Sequence, residues 1–146
     1  MTIQRMDHVG IVVDDLGAAT AFFLELGMEK VGEAPVEGRW LDRLLGLDDV
    51  RVDIVMLATP DGHSRVELST YHRPSAIRPE PEHPTPNTVG IRGVMFAVDD
   101  LDDVLARLSP HGAVLLGEIE QYGDTYRLCY LHGPAGVIVA LAQQLG

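Results

Sequence analysis

The chain has 146 residues, with 11 Lys and Arg against 22 Asp and Glu, a formal charge of -11 and 46% apolar residues. That length suits one domain, or two fused halves sharing a core and each marginal alone. The charge repels nucleic acid and anionic membranes, no Lys/Arg run offsets it, and no apolar run approaches the roughly 18 residues of a membrane span. One cysteine, Cys129, excludes an internal disulfide and fits a reducing cytoplasm. Its expected place is a buried strand, as a small apolar side chain.

Residues 1–7 are polar and lead straight into an apparent core strand, so no signal peptide is expected. That strand, over 7–13, is rich in Val and Ile. A helix follows over 16–26, with Ala19, Phe22, Phe23 and Leu26 at helical spacing and Gly27 as its stop. Asp14 and Asp15 stand at the handover, where a carboxylate caps free N–H groups and opposes the helix dipole. A second strand is predicted over 28–33. Between glycines, 38–46 reads as a short amphipathic helix holding Trp40, the only tryptophan, which either covers a cavity or packs against the sheet edge. Strands three and four fall at 50–58 and 64–70, joined by a turn over 59–63.

Residues 71–87 carry five of the nine prolines, which deny that stretch helix and central strand. It separates a first module, 1–70, from a second, 90–146, with 71–89 as the linker. The second module reads as a strand over 91–98, a helix over 101–108 behind Asp99 and Asp100, and strands near 113–117, 126–131 and 137–143. Residues 8–32 align on 93–117 without a gap, at an offset of 85 and with eight identities, including Val-Asp-Asp-Leu at 13–16 and 98–101. The fold class is therefore α+β: two tandem βαβββ modules forming a curved, cup-like mixed sheet with helices outside, a ligand belonging on the concave face.

These features together resemble the vicinal oxygen chelate superfamily, which includes glyoxalase I, methylmalonyl-CoA epimerase, extradiol dioxygenases and bleomycin-resistance proteins. The resemblance is carried by the paired βαβββ pattern, the opening Asp7-His8-Val9-Gly10-Ile11-Val12-Val13-Asp14-Asp15-Leu16, the Pro60-Asp61-Gly62 hairpin before Val66-Glu67-Leu68, and the closing Gly133-Pro134-Ala135-Gly136. It spans essentially the whole chain. Length, the Trp40 helix and the proline-rich linker look closest to glyoxalase-like and epimerase-like members. In metal-using members the resemblance implies up to four ligands, one on the first and one on the last strand of each module. His8 and Glu67 fall on the first two positions, and both suit Ni, Zn, Mn, Co or Fe. Gly93 and Ala140 stand at the other two and carry no donor atom, and two protein ligands hold a transition metal weakly.

Two functions stay open. The favoured one is a small-molecule-binding protein of the bleomycin-resistance type with a degenerate metal site and no cofactor. It would take an apolar or aromatic metabolite or antibiotic, with Trp40, Met56, Met95, Tyr122, Tyr126 and Tyr130 as candidate contacts. The alternative is a glyoxalase-type lyase or an epimerase using a divalent metal. There Glu67 is the base abstracting a proton next to a carbonyl and His8 its partner or acid. Arg65 shares the strand face of Glu67 and is placed to pair with it or with an anionic ligand. The other histidines, His63, His72, His83, His111 and His132, fall at turns, linker or helix end and are expected to be solvated. An extradiol dioxygenase, needing two histidines and a carboxylate, fits worst. The family analogy also implies a homodimer.

Overall fold

A computed structural model describes residues 2–146. Met1, the first residue of the polar opening stretch, lies outside the described residues. The chain forms two compact units, one ending at Arg78 and the other beginning at Pro79.

The first unit runs β1 (Val9–Val12), α1 (Leu16–Leu26), β2 (Glu29–Glu37), α2 (Arg39–Leu45), β3 (Arg51–Ala58) and β4 (Arg65–Arg73). Its sheet has the order β1-β4-β3-β2, with β1 parallel to β4 and the other pairs antiparallel. Asp15 starts α1 as expected: its carboxylate accepts the Ala18 N–H at 2.9 Å. Gly27, at φ 123°, ends the helix by donating its N–H to carbonyls of the last turn. Along each strand the buried residues alternate, so Ile11, Val55, Leu57, Val66 and Leu68 share one face. Against that face α1 sets Phe22 and Phe23, whose rings meet edge to face at 5.3 Å.

The other face carries Gly10, Val12, Ile54, Met56 and Glu67. One end of it is covered by α2, whose buried Leu41 clusters with Val50, Val52, Val36, Ile54 and Tyr71. Asp42 ties this cluster down by accepting the Val50 N–H at 2.8 Å. The 38–46 helix therefore packs at the edge of the sheet, against Val36 of β2, and reaches from there over Val52, Ile54 and Tyr71. Strand β2 runs four residues beyond the predicted stretch and includes Pro35. Because β2 is an edge strand, the missing N–H costs no ladder bond. Strand β4 likewise continues to Arg73, past its predicted end, and the Thr70 hydroxyl donates to the Val13 carbonyl at 2.8 Å.

The second unit runs β5 (Gly93–Val98), α3 (Leu101–Leu108), β6 (Val114–Leu115), β7 (Glu120–Tyr122), β8 (Tyr126–His132) and β9 (Ile138–Gln144). Its order β5-β9-β8-β6, with β7 also on β8, repeats the first sheet, including the parallel pairing of first and last strands. Asp100 caps α3 by accepting the Asp103 N–H at 3.1 Å, and Gln143 Oε1 accepts the Leu101 N–H at 2.9 Å. Leu101, Val104 and Leu108 are buried, as are Leu131, Val139, Leu141 and Cys129 on the sheet. Burial pushes the Cys129 thiol up, consistent with its expected structural place. The strand predicted over 113–117 shrinks to two residues, and β7 was not predicted. The polar run Glu118-Ile119-Glu120-Gln121 offers no strand signal of its own, and pairing with β8 alone makes it one.

Two predictions follow from the helix ends. Asp15→Ala is expected to cost about 1 kcal/mol in urea denaturation through the lost cap. Arg127 grips Asp102 at the start of α3 with two bonds, at 3.0 and 3.3 Å. That hydrogen bond, reinforced by charge attraction, holds the Asp102 carboxyl below its ordinary 3.8. A depressed folded value means stabilisation that is present above the unfolded value and lost as pH falls through the folded one. Thermal melts of Asp102→Asn should therefore fall below wild type near about pH 7 and converge with it near about pH 2.

Candidate functional site

The register of the first sheet assembles a single row across the open face. Gly10 pairs with Glu67, Glu67 with Met56, and Met56 with Gly32. A Cβ added at Gly10 or at Gly32 would meet nothing within 4 Å, so both ends of the row lie open above the backbone. His8, two residues before Gly10, reaches the same place: its Nε2 lies 3.5 Å from Glu67 Oε2. Both side chains are about one-third accessible, at 32% and 27%. Such partial exposure lets the pair touch a ligand.

Asp7 fixes the histidine from behind. Its carboxylate accepts from His8 Nδ1 at 2.8 Å and from Arg5 at 3.1 Å. The hydrogen bond from His8, followed by that from Arg5, holds the Asp7 carboxyl below its usual value. An ionised carboxylate only accepts, so Nδ1 carries a proton and Nε2 is the nitrogen turned to Glu67. With Nδ1–H committed, the approach of Nε2 to Glu67 is favourable when a proton sits between them, on the imidazole or on the carboxyl. A carboxylate orienting an imidazole whose other nitrogen faces outward is also the arrangement that supports a metal-ligating histidine. Arg65 makes no ion pair among the described residues. The partner of Glu67 is His8, not the arginine two residues away.

The same register in the second sheet shows what happened to the other half. Met95 pairs with Ala140 and Ala140 with Tyr130, which places Ala140 where Glu67 stands in the first sheet. Gly93, the counterpart of His8, pairs with Ile138. A Cβ built on Gly93 would stand 2.5 Å from the Ile138 carbonyl oxygen and 3.0 Å from its Cβ. Backbone occupies the space a side chain would need. Among the described residues no group of three or more His, Cys, Asp and Glu side chains is placed to hold a metal ion. His8 and Glu67 are thus two donors, short of the three a catalytic transition-metal site takes from protein, and the residues present do not fit the metal that the family layout implies.

The aromatic and thioether candidates scatter. Met56 lies beside Glu67, and Met95 and Tyr130 flank Ala140, all on open faces. Trp40 is 55% exposed on α2, away from the Leu41 cluster. Tyr122 and Tyr126 face each other across the β7–β8 hairpin and are exposed. Of the seven residues proposed as ligand contacts, Tyr130 alone among the described residues lines a cavity of about 550 Å³ in the second unit. Its other walls include His83, Leu116, Glu120, Leu128 and His132, which the sequence reading did not single out. The alternation Leu128, Tyr130, His132 along β8 was the available signal. The part played by His83 depends on how the proline-rich segment folds back, which has no local signature.

A sequence model described as the Glyoxalase/Bleomycin resistance protein/Dioxygenase superfamily matches residues 7–130. The crystal structure of a glyoxalase family protein from Bacillus cereus superposes with a TM-score of 0.95 at 45% identity, covering 100% of this chain and 97% of that one. The uncharacterized protein YaeR of Escherichia coli (strain K12) is 25% identical over 145 residues, 97% of this chain and 98% of that protein. TnmS3, an antibiotic binding protein from Streptomyces sp. CB03234, shares the fold with a TM-score of 0.64 at 19% identity, covering 99% and 98% of the two chains.

Restoring the familial histidine should fail for steric reasons. Gly93→His is expected to lose about 1–3 kcal/mol or more, because the Ile138 backbone must shift, and to gain no zinc or nickel binding. Met95→His, on the exposed neighbouring position, should melt close to wild type. Thermal denaturation with and without added metal checks both, and a Gly93→His protein of wild-type stability that binds metal would refute the steric reading.

Proposed function

The chain belongs to the Glyoxalase/Bleomycin resistance protein/Dioxygenase superfamily, and from that premise we propose that it is a small-molecule-binding member with a degenerate metal site, taking an apolar or aromatic ligand on an open sheet face. The observation that carries this reading is the close approach of Gly93 to the Ile138 carbonyl. It removes one donor position, and Ala140 removes the other. Each unit keeps on its own open face an apolar or aromatic surface with few polar groups, Met56 near Glu67, His8 and Arg65 in the first and Met95 with Tyr130 in the second. That is the composition of a pocket that holds its ligand by burial and orients it with few polar groups. In this role Glu67 accepts a hydrogen bond from the ligand, with His8 held in place by Asp7.

A second reading, a lyase or isomerase of the glyoxalase or epimerase kind, is favoured by one feature. His8 and Glu67 stand close enough to pass a proton, so Glu67 can take it from a carbon next to a carbonyl and His8 can share it. No step is routed through a metal, because the donor set does not fit one. The proposal includes a homodimer in the cytoplasm, to be checked by sedimentation. Among the described residues no helix is long and apolar enough to cross a membrane.

Metal content tests the degenerate site on which the binding-protein reading rests. Untagged, dialysed protein analysed by mass spectrometry should carry far less than one divalent ion per chain, unchanged in His8→Ala and Glu67→Ala. Near-stoichiometric metal lost in both variants would overturn the binding-protein reading in favour of the enzyme.

A further inference from the structure

The cavity in the second unit has a chemistry of its own. Its floor is the open face of β8, where Leu128, Tyr130 and His132 alternate outward, with Leu116 held alongside by its N–H bond to the Tyr130 carbonyl at 2.9 Å. Its roof is the proline-rich segment 83–86. At one end the His83 ring meets the His132 ring edge to face, with centroids 5.2 Å apart. The segment is fixed rather than loosely draped. Gly136, at φ 76°, lets the chain pass so close that a side chain there would collide with the Glu82 carbonyl and touch Pro84. Thr85 adds a hydroxyl bond to Asn87 and accepts the Thr88 N–H with its carbonyl. Two prolines in the roof further limit the freedom it would lose when a ligand enters.

At the other end stand Glu118 and Glu120. Glu120 pairs with Leu128 across β7 and β8, so its side chain leaves the sheet on the cavity side. Neither glutamate has an ion-pair partner among the described residues, and no lysine or arginine lines the cavity. The chain as a whole is acidic. An anionic ligand is therefore opposed at short and long range, whereas a cation gains from both and from the face of Tyr130. A volume of about 550 Å³ is that of a site for a drug-sized molecule.

From this geometry we infer that the cavity between β8 and the proline-rich segment binds a planar, positively charged organic molecule, its ring system between Tyr130 and the prolines and its cationic nitrogen at Glu118 and Glu120. This rests on the small-molecule-binding reading above and gives it a place and a ligand chemistry.

The test titrates the full chain with two flat dyes of opposite charge, cationic proflavine and anionic 8-anilinonaphthalene-1-sulfonate, followed by fluorescence. Proflavine is expected to bind saturably, one per chain, and about tenfold or more tighter than the anionic dye. The Glu118→Gln/Glu120→Gln double variant changes only exposed carboxylates and should weaken proflavine by about tenfold while its circular dichroism stays that of wild type. Tyr130→Ala should weaken it independently, and Glu29→Gln, which changes an exposed carboxylate of the first unit, should leave it unchanged. Absence of saturable proflavine binding, equal affinity for the two dyes, or indifference to the double variant overturns the cavity assignment. Binding lost in Glu67→Gln and kept in the double variant also overturns it, moving the ligand to the first unit with the small-molecule reading intact.

Discussion

In each unit the first strand runs parallel to the last, β1 along β4 and β5 along β9, and the places of Glu67 beside Gly10 and of Ala140 beside Met95 follow from that pairing. A parallel pair cannot be closed by a tight turn, so the chain between its strands must travel, and here it carries α1, α2 and two strands in the first unit and α3 and three strands in the second. The pairing brings Gly10 beside Glu67 and so places His8 within reach of a carboxylate nearly sixty residues away. It also fixes which face is buried. With period two along a strand, a slip of one residue would turn Glu67 into the core and Leu68 out of it, exchanging a fully buried leucine for a charge. With α1 packed on one face, Glu67 and Met56 stand on the other, beyond the end that α2 covers.

The two units answer this common constraint differently. In the first, small residues end the row, a carboxylate and an imidazole occupy its middle, and a third group behind orients the imidazole. In the second, the row is Met95, Ala140 and Tyr130, and the strand ahead of it has drawn so near its neighbour that position 93 accepts only hydrogen. Removing a ligand from a metal site costs affinity, but closing the space it occupied makes the loss structural. The His8 and Glu67 pair lies in one unit, and the cavity under the proline-rich segment, with two glutamates and two histidines of its own, lies in the other.

Enclosure in the second unit comes from the segment richest in proline. Such a stretch cannot add to a sheet centrally, because it lacks donors and its backbone is held near one φ. Laid across the open face of β8 and fixed at Gly136, it serves as a wall. The acidic side chains on the opposite rim then give the volume a sign, which a bare apolar groove would lack.

Much of this was legible in the sequence. The repeat at 8–32 and 93–117 carried the two βαβββ modules, because helical spacing of Ala19, Phe22, Phe23 and Leu26 and the aspartate caps are local signals with local causes. The pairing of His8 with Glu67 and the missing donors at Gly93 and Ala140 could also be named, because the family resemblance assigns a ligand to the first and last strand of each module. Other features had no such trace. The short strand β7 exists because β8 lends it partners, and the extension of β2 through Pro35 is allowed because nothing pairs beyond it. Arg65 sits two residues from Glu67 yet does not pair with it, and the carboxylate instead faces the imidazole of His8, just ahead of β1. Sequence by itself determined the elements, their order and the chemical inventory of each strand, all of which depend on neighbours along the chain. Only the tertiary structure decided that Gly93 has no room for a side chain and that His83 closes a cavity over Tyr130, because both are facts of approach between segments whose separation in sequence says nothing of their distance in space.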